Sequence, residues 1–188
     1  MSDQQQEKWI SLHEEPAGDL ELFQAVFAWF KNPRNQHPVK AVILKAPDWV
    51  NVLALTPDQK VVTVRQYRFG SQGWTIETPA GLMEDEESPL QAAQRELSEE
   101  TGYTSQEWEY LGYVEPNPAF MDNNCHLWLA KNARKTDHTD FDPGEDIRVE
   151  AMELSALKKE IRNGNLRHSL ALIAISRLFN PLNHLISR

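Results

Sequence analysis

Apolar residues along this chain repeat with two different periods, separated by polar stretches marked with Pro, Gly, Asn and Asp. Around residues 61–67 the period is two, with Val62, Val64 and Gln66 on one side and Thr63, Arg65 and Tyr67 on the other. That alternation predicts a half-buried strand. With the apolar run at 50–55 and the intervening Thr56-Pro57-Asp58-Gln59-Lys60, it predicts a hairpin. Further strands are expected at 74–78, 107–114, 126–130 and 147–154, with polar loops at 115–124 and 131–144. A helical period appears at 88–102, again at 157–161 with a stop near Gly164, and at 167–179, where Leu170, Ile173, Ala174 and Leu178 share a face.

The first part of the chain differs. Residues 1–19 are polar, contain Pro16 and Gly18, and read as loosely structured. Residues 22–30 are strongly apolar, and their aromatic content favours a strand over a short helix. A turn at 31–38 and a strand at 40–45 follow. Residues 1–44 therefore read as a small antiparallel β appendage, too small to hold a core alone, and 45–188 as the main domain. In that domain helices fall between groups of strands. This predicts an α/β fold, a mixed sheet with helices on two faces in an α/β/α sandwich.

The stretch 81–103 carries the densest local signals. Ser88 is an N-cap, Pro89 takes the first helical position, Gln91 completes a capping box, and Gly102 stands where a helix stops. Leu90, Ala93 and Leu97 make the apolar stripe, and Arg95, Glu96, Glu99 and Glu100 stand opposite. Glu96 and Glu100 are four apart and project from one face, and Arg95 and Glu99 are spaced for an ion pair. Clustered carboxylates are the hard oxygen donors that magnesium takes, although a solvated acidic helix face has the same composition.

Composition narrows the possibilities. At 188 residues, 40% hydrophobic and 25% charged, the chain suits one globular domain with a small addition. No apolar run approaches a membrane span, and the first residues lack the basic start and apolar core of a signal peptide. Cys125 is the sole cysteine, and its setting, Cys-His-Leu-Trp-Leu-Ala, reads as a buried strand rather than a nucleophile's site. A cytoplasmic protein is expected. The formal net charge of −9 argues against general nucleic-acid binding. An acidic protein also repels a phosphate substrate unless divalent cations bridge the two.

Gly81, Glu87, Arg95, Glu96, Leu97, Glu99, Glu100 and Gly102 fall on the pattern Gly-x5-Glu-x7-Arg-Glu-U-x-Glu-Glu-x-Gly-U, with U a bulky apolar residue and Tyr103 at the last position. The stretch thus resembles the Nudix box. The resemblance runs over about residues 47–175, through Trp49-Val50-Asn51-Val52, Arg65-Gln66-Tyr67-Arg68, Glu77-Thr78-Pro79-Ala80-Gly81 and Asn117-Pro118-Ala119-Phe120. These look like the branch that hydrolyses ADP-ribose and other nucleoside diphosphate sugars, and Pro118, fifteen residues past the box, has the spacing associated with it. Glu86 departs from the pattern, because relatives often have glycine there.

The resemblance implies a Nudix-type sandwich and a pyrophosphohydrolase using two or three Mg2+ or Mn2+ ions. It implies metal binding by Glu96, Glu99, Glu100 and the carbonyl of Ala80, with Arg95 orienting a neighbouring glutamate and Glu87 supporting the loop. The acidic loop 142–149 implies Glu145 as general base, metal ligand or both, with Glu99 as the rival base. Arg68 matches an arginine that contacts the substrate diphosphate, Glu77 would hold that arginine or a sugar hydroxyl, and the backbone of Leu82 would meet the terminal ribose. Trp49 would stack on the nucleobase, or pack in the core or at a dimer contact. Members of this branch are generally homodimers whose N-terminal strands cross to the partner, a role that fits Phe23, Phe27, Trp29 and Phe30. Two other readings remain at this level: hydrolysis of nucleoside triphosphates or dinucleoside polyphosphates, and a non-catalytic nucleotide-sugar sensor.

Overall fold

A computed structural model describes residues 8–141, 144 and 146–178. In chain order its elements are β1 (Ile10–Asp19), β2 (Gln24–Lys31), β3 (Pro38–Lys45), β4 (Trp49–Leu55), β5 (Val61–Arg68), β6 (Gly73–Glu77), β7 (Ala80–Leu82), α1 (Pro89–Thr101), β8 (Tyr103–Thr104), β9 (Glu107–Val114), β10 (Cys125–Lys131), β11 (Arg134–Lys135), β12 (Arg148–Met152), α2 (Leu154–Arg162) and α3 (Ser169–Leu178). Contacts divide the chain into two compact units, Met1–Pro47 with Glu115–Asn123, and Asp48–Val114 with Asn124–Arg188.

The first unit is an antiparallel sheet in the order β1-β2-β3. Its tie to 115–123 is a bridge between Leu44 and Met121, with the Leu44 N–H donating to the Phe120 carbonyl at 2.7 Å. The expectation of loose structure over 1–19 fails from Ile10 onward, because β1 is a ten-residue strand. Pro16 and Gly18 misled because β1 is an edge strand with register shifts at Ser11/His13 and Pro16/Gly18. Proline is tolerated at such bulged edges, where no ladder N–H is required. Every residue of β1 is exposed, and Trp9, Ile10, Leu12, Val39 and Val42 leave apolar surface uncovered in this unit.

The second unit holds a seven-stranded mixed sheet, ordered β12-β5-β4-β10-β9, with β6 beside β5 and β7 beside β4. The β4–β10 pair is parallel and the others are antiparallel. Strand alternation sends side chains to two cores. Val50, Val52, Ala54, Val62 and Ala130 meet Ala92, Ala93 and Leu97 of α1. Leu53, Val61 and Leu129 meet Leu157 of α2 and Ala171 and Ile175 of α3 on the other face. The α/β/α sandwich read from the sequence is the architecture found.

Two local expectations change. The 50–55/61–67 hairpin pairs only at its turn, Ala54 with Val62 and Leu55 with Val61. Beyond it β4 turns to β7 and β10, while β5 takes β6 and β12. The polar stretch 131–144 is not all loop, since β11 pairs with β8. Two-residue strands are set by partners distant in sequence, so no local period announces them.

Candidate active site

Helix α1 is anchored at both ends. The Ser88 hydroxyl accepts from the Gln91 N–H at 3.3 Å, and the Ser88 N–H donates to the Gln91 side chain at 2.9 Å. Gly102 takes the left-handed conformation, φ 70°, and its N–H donates to the Ser98 carbonyl at 2.7 Å. A Cβ there would also fall 2.6 Å from the Asp137 carbonyl oxygen. With Ala92, Ala93 and Leu97 fully buried against the sheet, the register of the helix is fixed.

That register turns Arg95 into the hub of the box. Its Nε and Nη2 donate to the two Glu87 oxygens at 3.0 Å each, and its Nη1 donates to Glu96 at 2.8 Å and to Glu99 at 3.0 Å. Nη2 also reaches the Leu82 carbonyl at 2.9 Å, tying the helix to β7. The Arg95 hydrogen bond holds the Glu87 carboxyl below the usual carboxylate range, against a smaller opposing effect of burial. Glu87 in turn accepts the Glu84 N–H at 3.1 Å, so it closes the loop before the helix. The Arg95–Glu99 pair expected from the spacing is present. Glu86 sits at φ 65°, a conformation glycine adopts without strain.

Gly81 has a steric reason. An added Cβ would lie 2.0 Å from Glu96 Oε1, so only a residue without a side chain leaves room for that carboxylate. Glu100 is buried, and its Oε2 accepts the Ala80 N–H at 3.1 Å. Thus Glu96 and Glu100 belong to the seam between α1 and β7, and Glu99 joins them by sharing one Arg95 nitrogen with Glu96. The donor set fits magnesium in kind, being hard oxygen, although among the described residues no three such side chains converge tightly enough to cage an ion. A cavity of about 560 Å³ is lined by Arg95, Ser98 and Glu99 of α1 and by residues 137–140. The Asp140 N–H donates to the Glu99 carbonyl at 3.0 Å. Glu145, with Asp142 and Pro143, lies outside the described residues.

A second cluster stands at the β5/β6 end. Arg68 grips Glu77 with both arms of its fork, Nε to Oε1 at 2.9 Å and Nη2 to Oε2 at 2.6 Å. Glu77 is fully buried, accepts the Thr75 hydroxyl as well, and lies 3.7 Å from His168 Nε2. Burial pushes the Glu77 carboxyl up, but the Arg68 hydrogen bonds and charge, with His168 and Thr75, outweigh it and hold it below its ordinary value. Burial pushes the His168 imidazole down. The sequence pointed to Arg68 and Glu77 but not to His168, which a lone histidine before a helix does not announce.

Trp49 packs against the cluster of Cys125, Leu127, Leu170 and Ala174, on the face away from α1. Leu82 is exposed. Cys125 is buried, and burial followed by the Asp48 charge pushes its thiol up to about 12, which fits the expected inert strand residue.

The sequence profile described as "NUDIX domain" matches residues 46–172. The chain belongs to the Nudix family. As a Nudix hydrolase it is 33% identical over 145 residues to the Methanol dehydrogenase activator of Bacillus methanolicus, covering 77% of this chain and 78% of that one. It is 36% identical over 116 residues to the ADP-ribose pyrophosphatase of Bacillus subtilis strain 168, covering 62% of each chain. A solved structure described as "Crystal structure of ADP compounds hydrolase" superposes with a TM-score of 0.81 over 95% of this Nudix chain and 96% of its own, at 18% identity, a likeness of fold. No helix among the described residues is long and apolar enough to cross a membrane.

Proposed function

We propose that this Nudix hydrolase cleaves the pyrophosphate bond of a nucleoside diphosphate sugar, ADP-ribose first among them, releasing a nucleoside monophosphate and a sugar phosphate. The observation that carries this reading is the Arg68–Glu77 fork beside an intact box. A buried carboxylate orients the Arg68 guanidinium, whose planar, permanently charged fork is the kind of group that recognises a diphosphate. The similarity to a protein named ADP-ribose pyrophosphatase supports the same choice.

Glu96, Glu99, Glu100 and the Ala80 carbonyl are the proposed ligands of Mg2+ or Mn2+, two or three ions per site. Bound there, the metal neutralises diphosphate charge and lowers the pKa of the attacking water. The chain's own residues do the rest. Arg95 spaces Glu96 and Glu99, Gly81 leaves room for Glu96, and the Ala80 N–H fixes Glu100. Glu145 is the proposed base, with Glu99 as alternative. The Asp140 N–H, five residues before Glu145 in sequence, donates to the Glu99 carbonyl, which supports this reading. Leu82 is assigned to the sugar side through its backbone, and Trp49 to core packing rather than base stacking, as its neighbours favour.

The first unit is proposed to join two copies. It leaves Trp9, Ile10 and Leu12 exposed on or beside an edge strand, and a second copy would cover them. A homodimer by light scattering is expected, and a monomer overturns this part. A cytoplasmic location follows from the same reading.

The deciding experiment is side-by-side turnover of ADP-ribose, ADP-glucose, GDP-mannose, UDP-glucose and nucleoside triphosphates with magnesium and product identification. Monophosphate release from at least one is expected. Inorganic phosphate or pyrophosphate from nucleoside triphosphates, with no sugar-nucleotide turnover, would move the assignment to another Nudix substrate.

A further inference from the structure

A hydrogen-bonded chain on the α1 face of the sheet is not used by the assignment above. His126 Nε2 lies 3.1 Å from Asp48 Oδ2, and His126 Nδ1 lies 2.9 Å from the Tyr110 hydroxyl. The other Asp48 oxygen accepts the Asn124 N–H at 2.8 Å, and the Asp48 carbonyl accepts the Met83 N–H at 2.9 Å. Both ring nitrogens of the histidine are therefore committed, and the aspartate is held by the loop that leads into the box.

The backbone makes a special arrangement to build this. Along β9 the partner of His126 is Tyr113, while the partner of Trp128 is Tyr110, with a register shift between them. Gly112 supplies the shift, at φ 94°, a conformation that side-chain-bearing residues rarely adopt. Residues 110 and 113 would face opposite sides of a regular strand. The bulge sets both rings beside the imidazole, at centroid distances of 6.0 and 6.3 Å. Tyr110 and Tyr113 are 46% and 58% exposed, so the wall faces solvent rather than core.

Register sets the wall in line with the box, Tyr113 three strand spacings, roughly 15 Å, from Gly81. Tyr113 pairs with His126, His126 with Val50, and Val50 with Gly81, all in one cross-strand row. His126 thus stands two strand spacings, roughly 10 Å, from Gly81, on the face that carries Glu96. The chemistry of the chain is directional. A carboxylate only accepts, so His126 Nε2 donates to Asp48; in the neutral ring Nδ1 then accepts, and the Tyr110 O–H donates to it. Partial desolvation, Tyr113 and Asp48 all push the Tyr110 phenol up, which keeps it protonated. What Tyr110 offers outward is an acceptor oxygen beside two ring faces. The chain contains a carboxylate and no cation, so it suits a neutral hydroxylated group and not a phosphate.

We propose that Asp48, His126, Tyr110 and Tyr113 form the subsite for the sugar on the leaving side of the diphosphate, with the Tyr110 oxygen accepting a sugar hydroxyl. The proposal rests on the nucleoside diphosphate sugar reading and adds the residues that select the sugar. Tyr110 and Tyr113 are its contact residues, and Asp48 and His126 are positioning residues.

The test compares wild type and Tyr110→Phe on two substrates, ADP-ribose and the β-methyl ester of ADP, which has no sugar hydroxyl at that end. Tyr110→Phe removes one exposed oxygen, so folding is retained, and a melting curve checks it. The expected result is a KM for ADP-ribose raised about fivefold with kcat held, the loss of one neutral hydrogen bond, and no change for the methyl ester. An unchanged KM for ADP-ribose, or the same rise for both esters, overturns the subsite while leaving the functional reading in place. If the wild type cleaves neither these esters nor ADP-glucose, GDP-mannose or UDP-glucose, the functional reading falls and the subsite with it.

Discussion

Replacing Glu77 by Gln tests the Arg68 cradle most directly. The side chain keeps its shape and loses its charge. In the wild type, two Arg68 N–H groups donate to the carboxylate at 2.9 and 2.6 Å, and Glu77 has no solvent exposure to compensate for weakening them. Hydrogen bonds to a charged group contribute about 1.5–3 kcal/mol each. The Arg68 side chain is 39% exposed, so water recovers part of that loss, and the net destabilisation comes to about 2–3 kcal/mol. At roughly 2–4 °C per kcal/mol for a chain of this size, the melting temperature at neutral pH should fall by roughly 5–10 °C. Linkage adds a signature. The Glu77 carboxyl is held below its ordinary value in the fold, with the Arg68 bonds and charge outweighing burial. Its contribution is therefore fully present above the unfolded carboxyl pKa, about 4.3, and is lost as pH falls through the lower folded value. Melting curves from neutral to strongly acidic pH should show the wild-type advantage shrinking only below about pH 4. Because Arg68 would no longer be held, KM for ADP-ribose should also rise, by about tenfold. A variant that melts with the wild type at pH 7 and keeps its KM would refute the cradle.

Gly81→Ala should cost activity more than stability. Its Cβ would fall 2.0–2.5 Å from the Glu96 carboxylate, the end of a flexible side chain that can swing away. Displacement of about 1 Å predicts a fall in kcat of about a hundredfold, checked beside a melting curve that moves little. In Glu100→Gln the amide oxygen still accepts the Ala80 N–H at the 3.1 Å contact, so folding should hold while turnover drops at least about a hundredfold. A metal titration on that variant that matches the wild type would remove Glu100 from the ligand set. Chelation by EDTA should abolish wild-type turnover, and excess magnesium should restore it. The Cys125 thiol, buried and pushed up to about 12, should resist a thiol reagent at pH 8 in the native state and react on unfolding, so fast native labelling would contradict its burial.

The local grammar of the sequence determined the box helix. Ser88, Pro89, Gln91 and Gly102 act within a few residues of themselves, so their roles as caps are readable before any fold exists. The Arg95–Glu99 pair is equally local, set by the pitch of one helix. Periods of two and of about three and a half also gave the sandwich, because each face of the sheet must be covered by an apolar helix stripe. Tertiary structure decided what depends on neighbours distant in sequence. Glu87, just before the N-cap, meets Arg95 two helical turns on, His168 reaches Glu77 from the start of α3, and β11 exists only because β8 lies beside it. The edge position of β1 made Pro16 and Gly18 compatible with a strand, although as residues they read as breakers. The row from Gly81 through Val50 and His126 to Tyr113 joins four strands and has no sequence period at all. Local signals fix the backbone's choice of element, whereas register and burial, which only the assembled sheet sets, decide which side chains share a site.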